Sequence, residues 1–332
     1  MDPQPQLQDG FHRTISYMRI SITDRCNLRC VYCMPPEGVD WIPHQDVLTY
    51  EEIERIVRAT ATVGLRKIRI TGGEPLVRKN SVELVARLTA VPGIEDVAMT
   101  TNALLMPQYA EPLARAGLQR INVSLDTLKR ERFARITRGG RLDQAMEGIL
   151  AAERAGLAPI KINAVVLRGV NDDEVADLAR LTLDHPWHVR FIEAMPVDGN
   201  LPVEEKGFIS ADEILERLTV LGELASCAGP NGNGPARYYQ IPGAKGTIGV
   251  ISPMSHFYCS SCNRVRLSAD GKLRLCLFSD QEVDLRTPLR QGADTAEIVD
   301  IFRKAIATKP ERHNLVVGQS NCNLRALSQI GG

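Results

Sequence analysis

The chain has 332 residues, and its 40 Lys and Arg balance its 40 Asp and Glu, so the formal net charge is zero. That balance lacks the basic excess of a general nucleic-acid or anionic-membrane binder, so any anion site must be a local cluster of positive charge. With 44% hydrophobic residues and no apolar run near membrane-spanning length, a soluble globular protein with a substantial core is expected.

The opening MDPQPQLQDGFHRT is polar and rich in Pro and Gln, and residues 1–13 are expected to form a flexible leader. It carries no apolar stretch of the signal-peptide kind, which points to the cytoplasm. There, eight cysteines stay reduced and serve metal or redox chemistry before disulfides.

From residue 14 onward, short β-rich runs alternate with amphipathic helical stretches. Strands are expected at 18–22 (MRISI), 67–71 (KIRIT), 96–101 (DVAMTT), 120–125 (RINVSL), 160–166 (IKINAVV) and 188–194 (HVRFIEA). Between them, 51–63, 81–90, 142–156 and 173–183 space apolar residues three and four apart, as Ile53, Ile56, Val57 and Val63 show. Gly64, Gly117 and Gly156 each follow a helical run and suit helix C-termini. Serial strand–helix cycles imply a parallel sheet with right-handed crossovers. An open doubly wound sheet and a partial (β/α) barrel both satisfy the pattern.

After about Leu224 the texture changes. Residues 227–235 (CAGPNGNGP) read as a loop, RYYQI and TIGVI as short strands, and RVRLSADGKLRLCLF as a hairpin turning at Ala269, Asp270 and Gly271. A helix is expected over about 295–306.

Cys26, Cys30 and Cys33 form a C-x3-C-x2-C array directly after the first strand. Three thiolates in one loop can hold three irons of a four-iron cubane and leave the fourth open to a small molecule. A structural zinc site is the alternative, and His44 could be its fourth ligand. A second triad, Cys259, Cys262 and Cys276, is spaced C-x2-C-x13-C. Again there are three thiols and not four, and by spacing alone a zinc ribbon completed by Cys227 or Cys322 is open.

The first array, with Tyr32 before its last Cys and the Gly72-Gly73-Glu74-Pro75 run after the second strand, resembles the radical S-adenosylmethionine (SAM) superfamily. The TDRCNLRCVYCMP loop, TGGEP, the second triad with Asn263-Arg264-Val265-Arg266 after Cys262, and the terminal Gly331-Gly332 resemble the GTP 3′,8-cyclase family. That family acts first in molybdenum-cofactor biosynthesis, and the likeness runs from about Arg19 to Gly332.

The resemblance implies an α/β fold: a partial (β/α)6 TIM-like barrel over 14–226, then a C-terminal extension, 227–332, of short antiparallel strands carrying a second Fe–S cluster and binding GTP. It implies two 4Fe-4S clusters, one on Cys26, Cys30 and Cys33 and one on Cys259, Cys262 and Cys276. The first would cleave SAM to a 5′-deoxyadenosyl radical that takes the 3′ hydrogen of GTP. The ribose radical would then attack C8 of guanine, giving 3′,8-cyclo-7,8-dihydro-GTP after reduction, with the second cluster meeting the base.

By position, Tyr32, Gly73, Ser124 and Met195 match SAM contacts. Arg19, Arg69, Thr100, Lys161, Arg264, Val265 and Arg266 match GTP contacts, with Arg190 as a further candidate. Guanidinium forks suit phosphate oxygens, Arg264 and Arg266 project to one side of a strand, and a lone ammonium in the apolar run around Lys161 would be costly. The implied partners are GTP, an electron donor and a downstream cyclic pyranopterin monophosphate synthase, with room for a homodimer and no nucleic acid or membrane. Two other readings stay open: a peptide-modifying radical maturase and a non-enzymatic zinc-binding module.

Overall fold

The structure, a computed structural model, describes residues 7–196, 207–230, 234–316 and 325–331. Six strands run parallel in sequence order: β1 (Tyr17–Ser21), β2 (Lys67–Thr71), β3 (Asp96–Thr101), β4 (Arg120–Ser124), β5 (Lys161–Val166) and β6 (His188–Glu193). The crossovers hold α1 (Tyr50–Ala61), α2 (Ser81–Thr89), α3 (Met106–Arg115), α4 (Arg130–Thr137), α5 (Leu142–Arg154) and α6 (Val175–Asp184). Of these, α3 and α4 go beyond the helices expected. Pro107 and Pro112 mask α3, and α4 is mostly charged, burying only Phe133, Ile136 and Thr137.

The C-terminal part extends the same sheet. After α7 (Ala211–Leu218) come β7 (Ala225–Cys227), β8 (Arg237–Gln240), β9 (Thr247–Ile251), β10 (Arg264–Leu267), β11 (Lys272–Arg274) and β12 (Glu282–Asp284). β9 lies parallel beside β6, and β10 lies parallel beside β1. Eight parallel strands therefore stand in one row. The expected antiparallel extension is present on their outer flanks, as β8–β7 on one side and β11–β12 on the other. Among the described residues the sheet does not close, and β12 and β7 are its two ends. α8 (Arg286–Arg290), α9 (Thr295–Ala307) and α10 (Leu327–Ile330) complete the chain.

Side chains alternate across each strand, and the two sets differ in chemistry. One set includes Met18, Ile20, Ile68, Ile70, Ile121, Val123, Ile162, Val189, Phe191, Val250, Val265 and Leu267, all buried in the main core. The other set carries Tyr17, Arg19, Arg69, Thr100, Ser124, Asn163, Arg190, Arg264 and Arg266, which border a cavity. A filled barrel would place Val, Ile and Leu there. This one has charge instead.

Residues 7–13, part of the expected leader, are fastened to the body. Leu7 is buried, Gln8 bridges to Thr14, and the Asp9 carboxylate accepts from the Arg13 Nε at 2.6 Å. Among the described residues, no helix is long and apolar enough to cross a membrane.

Helix α5 approaches the turn after β3 so closely that a Cβ on Gly148 would stand 2.0 Å from the Ala103 carbonyl oxygen. Gly148→Ala is therefore expected to destabilise the apoprotein by about 1–3 kcal/mol in urea titration, through overpacking. Glu147→Ala, on the exposed side of the same turn, should stay within about 0.5 kcal/mol.

Candidate active site

The cavity lies inside the curve of the sheet and reaches the C-terminal strand ends, with about 1470 Å³ of space including its open mouth. Cys26, Cys30 and Cys33 border it at one end, and Arg19, Arg69, Arg190, Arg264 and Arg266 border it from the strands.

The first cysteine loop is held from two sides. Arg29 and Val31 donate their backbone N–H groups to Thr137 and Ile136 carbonyls at the end of α4, and Arg138 donates to the Arg29 and Met34 carbonyls. On the other side, Gly73 and Glu74 donate backbone N–H groups to Thr23 and Arg25. A Cβ on Gly73 would meet the Arg25 carbonyl oxygen at 2.3 Å, so this glycine lets two chain segments cross. Glu74 spends its carboxylate inside the protein, accepting from Leu76 N, Thr101 Oγ1 and Asn102 N. Burial pushes its pKa up to about 7.

Tyr32 donates its hydroxyl to Asp126 at 2.7 Å, and the same carboxylate accepts from Val165 N at 2.9 Å. Burial raises Asp126 to about 6. The thiols sit close enough to act on one another. Burial and then the charges of Cys33, Asp126 and Cys26 push Cys30 well up, while burial pushes Cys26 up to about 11. A bound metal would have to repay that cost by taking thiolates.

Three guanidinium groups stand side by side along one rung of the sheet. Arg266 on β10, Arg19 on β1 and Arg69 on β2 are directly in register. Arg190 on β6 faces the same space, opposite Gly249, where a Cβ would clash with its Cγ at 2.8 Å. Its Nη2 donates to Asn122 Oδ1 at 2.5 Å, while the Nε atoms of Arg69, Arg190 and Arg266 have no hydrogen-bond partner among the described residues. Burial and then Arg266 pull Arg19 well below its usual pKa, and burial brings Arg69 to about 10. So much enclosed like charge wants an anion.

The second triad sits beside this row. Cys259 and Cys262 lead into β10, and Cys276 follows β11. Burial works against thiolate formation at Cys262, yet Arg264 and Lys309 bring its pKa down to about 7. Cys259 is raised by burial and by the Cys276 and Cys262 charges, so these three also converge. Among the described residues, no three His, Cys, Asp or Glu side chains converge as ligands of a single metal ion. A cubane asks for a different arrangement, with each thiol on its own iron. Each triad offers three separate thiols, the number that a cubane with one open iron asks of the protein.

Residues 20–182 match a family model described as the radical SAM superfamily, and residues 187–315 match one described as Molybdenum Cofactor Synthesis C. A GTP 3′,8-cyclase of Pelotomaculum thermopropionicum is 52% identical, over 98% of this chain and 100% of its own length. One from Heliobacterium modesticaldum is 51% identical, over 98% and 99%. The chain belongs to the GTP 3′,8-cyclase family. In fold it is similar to Streptococcus suis SuiB, with TM-score 0.61 at 16% identity over 87% of this chain and 69% of that one. A structure of SuiB bound to S-adenosylmethionine gives 0.59, over 85% and 67%.

The boundary between the two family matches falls just before β6. The fold has no break there, since β5 and β9 flank β6 on both sides.

Of the family's contact residues matched from sequence, Tyr32, Gly73, Ser124 and Met195 border the cavity, as do Arg19, Arg69, Thr100, Arg264 and Arg266. Val265 does not, because strand alternation turns its side chain into the main core. Lys161, 2% exposed, does not border the cavity, but it shares the inward face of β5 with Asn163 and Val165, which do. His44 is exposed on a one-turn helix, away from the cavity wall. Cys227 is on the end strand β7, and Cys322 lies outside the described residues. Sequence reading passed over Asp126 and Tyr258. Asp126 directly follows RINVSL, where a polar residue past a strand end is a usable signal. Tyr258 stacks under Arg264 at 5.0 Å and carries no such mark.

Burial and the charges of Arg190, Arg120 and Arg69 push Lys161 down to about 6. A lysine in an unfolded chain keeps its proton up to about 10.4. Between those values the unfolded chain binds the extra proton, so this group lets stability rise with pH and costs most below about pH 6. Urea titrations of the apoprotein at about pH 6.5 and 8.5 should show that gain, and Lys161→Met should reduce it. An equal gain in both proteins contradicts the assignment.

Proposed function

We propose that this chain converts GTP to 3′,8-cyclo-7,8-dihydro-GTP, the first step of molybdenum-cofactor biosynthesis. The reading rests on one arrangement: three thiols at one end of a cavity and an in-register row of guanidiniums along its wall. Cys26, Cys30 and Cys33 would hold a 4Fe-4S cluster that supplies the electron for cleaving SAM. Cys259, Cys262 and Cys276 would hold a second cluster beside the purine.

The chain's own residues do the placing. Arg19, Arg69, Arg190, Arg264 and Arg266 supply cationic forks for a triphosphate, whose charge of about −4 relieves their mutual repulsion. Tyr32, fixed by Asp126, Ser124 at the end of β4, and the Gly72–Gly73 crossing shape the SAM end. Met195 and Cys33 pack against Leu277, Leu327 and Ile330, so α10 covers that end and keeps water from the reacting atoms.

The same reading assigns the chain to the reducing cytoplasm, with an electron donor and a cyclic pyranopterin monophosphate synthase as its partners. It also leaves a homodimer open to test.

Anaerobically reconstituted protein, given reductant, SAM and each nucleoside triphosphate in turn, should release 5′-deoxyadenosine in quantity only with GTP. Release that ignores the nucleotide would defeat the substrate assignment. Arg69→Ala and Arg266→Ala should each weaken GTP binding about 10- to 100-fold, as expected for loss of a charge-assisted hydrogen bond of ~1.5–3 kcal/mol. Equilibrium dialysis measures this directly.

A further inference from the structure

The segment 309–313, just after α9, lies outside the cavity wall yet grips the second cysteine triad at several points. Lys309, 3% exposed, donates from Nζ to the Arg264 carbonyl at 3.1 Å and to the Leu275 carbonyl. Arg264 lies two residues past Cys262, and Leu275 immediately precedes Cys276. Arg13, 8% exposed, donates to the Cys259 carbonyl at 2.7 Å and to the carbonyls of Glu311 and Pro310 at 2.7 and 2.6 Å.

All three cysteines are thus held through the backbone by two buried cations that share one strap of chain. The geometry fits a need of the site. Cys276 comes from a different arm of the hairpin than Cys259 and Cys262, so nothing in the local sequence fixes its distance from them.

The charges point the same way. Asp9 pairs with Arg13 at 2.6 Å. Among the described residues no carboxylate pairs with the Lys309 ammonium, whose hydrogen bonds go to the Arg264 and Leu275 carbonyls beside Cys262 and Cys276. An enclosed ammonium without a counter-charge is costly. The thiolates are the anions at hand.

We propose that Lys309 and Arg13 are positioning residues for the second cluster: together they set the spacing of its three cysteines, and the Lys309 ammonium serves as the cluster's buried counter-charge. This rests on the reading that Cys259, Cys262 and Cys276 hold iron. It assigns a task to residues 7–13 and to the stretch after α9, neither of which borders the cavity.

The test uses the full chain, reconstituted anaerobically, with Lys309→Met, Lys309→Arg and Arg13→Met. The parent should carry about eight irons, four per triad. Lys309→Met and Arg13→Met should lose second-site iron to a chelator at least tenfold faster than the parent, keeping about four. EPR of the first cluster, and its change on adding SAM, should stay as in the parent. Lys309→Arg should recover part of the retention. Whatever second cluster Lys309→Met keeps should have a more negative midpoint potential, since a cation has gone.

Unchanged retention and potential would overturn the proposal, as would equal loss from both triads, which marks a general folding defect. A separate chain, C26A/C30A/C33A, distinguishes the underlying reading. If it takes up no iron while folded, the second triad is no cluster site, and the brace falls with it.

Discussion

The feature on which the rest depends is the crowding of like charge inside the sheet. Arg266, Arg19 and Arg69 sit on one rung, Arg190 faces them, and Lys161 and Arg120 add their charges from the same inward side of β5 and β4. Removing guanidiniums from water and setting them beside one another is unfavourable until an anion enters. The apolar halves of the same strands carry the opposing stabilisation, because every second residue is buried against the helices. One alternating pattern thus builds the core and the site together. Arg190 even has its space reserved by Gly249 on the neighbouring strand.

The C-terminal part is integral to that arrangement. β9 and β10 add to the two edges of the six-stranded unit, and β10 supplies Arg264 and Arg266 to the rung begun by β1 and β2. The thiol triads then fall at different places around one cavity. The first follows β1 and is clamped by the α4 terminus and the Gly72–Glu74 crossing. The second brackets β10 and β11. A reaction that couples a reductively cleaved cofactor to a bound polyanion needs both kinds of site within reach of each other, and one continuous sheet provides that.

Much of this was legible in the sequence. The six parallel strands, KIRIT and DVAMTT to the residue, follow from β-branched runs between helical periodicities, and spacing alone exposes both cysteine triads. Strand pairing by β9 and β10 was not legible, since partners some 60 to 250 residues apart leave no local trace. α4 escaped notice because its charges pair outward, as Arg130 does with Asp143 and Arg132 with Asp173. Residues 7–13 look like a polar leader until Arg13 finds backbone carbonyls some 250 and 300 residues away. Val265 was matched as a contact through its neighbours, but alternation places it on the core side of a strand whose arginines face the cavity.

The central claim, that the buried guanidinium row is a polyphosphate site, can be tested without any cluster. Thermal unfolding of the apoprotein should be followed with GTP, inorganic tripolyphosphate or guanosine at equal concentration and low salt. A ligand that binds only the folded chain raises its stability by RT ln(1 + [L]/Kd). The account predicts that GTP and tripolyphosphate both raise the midpoint and that guanosine leaves it nearly unchanged. A shift with guanosine equal to that with GTP, and none with tripolyphosphate, would contradict it.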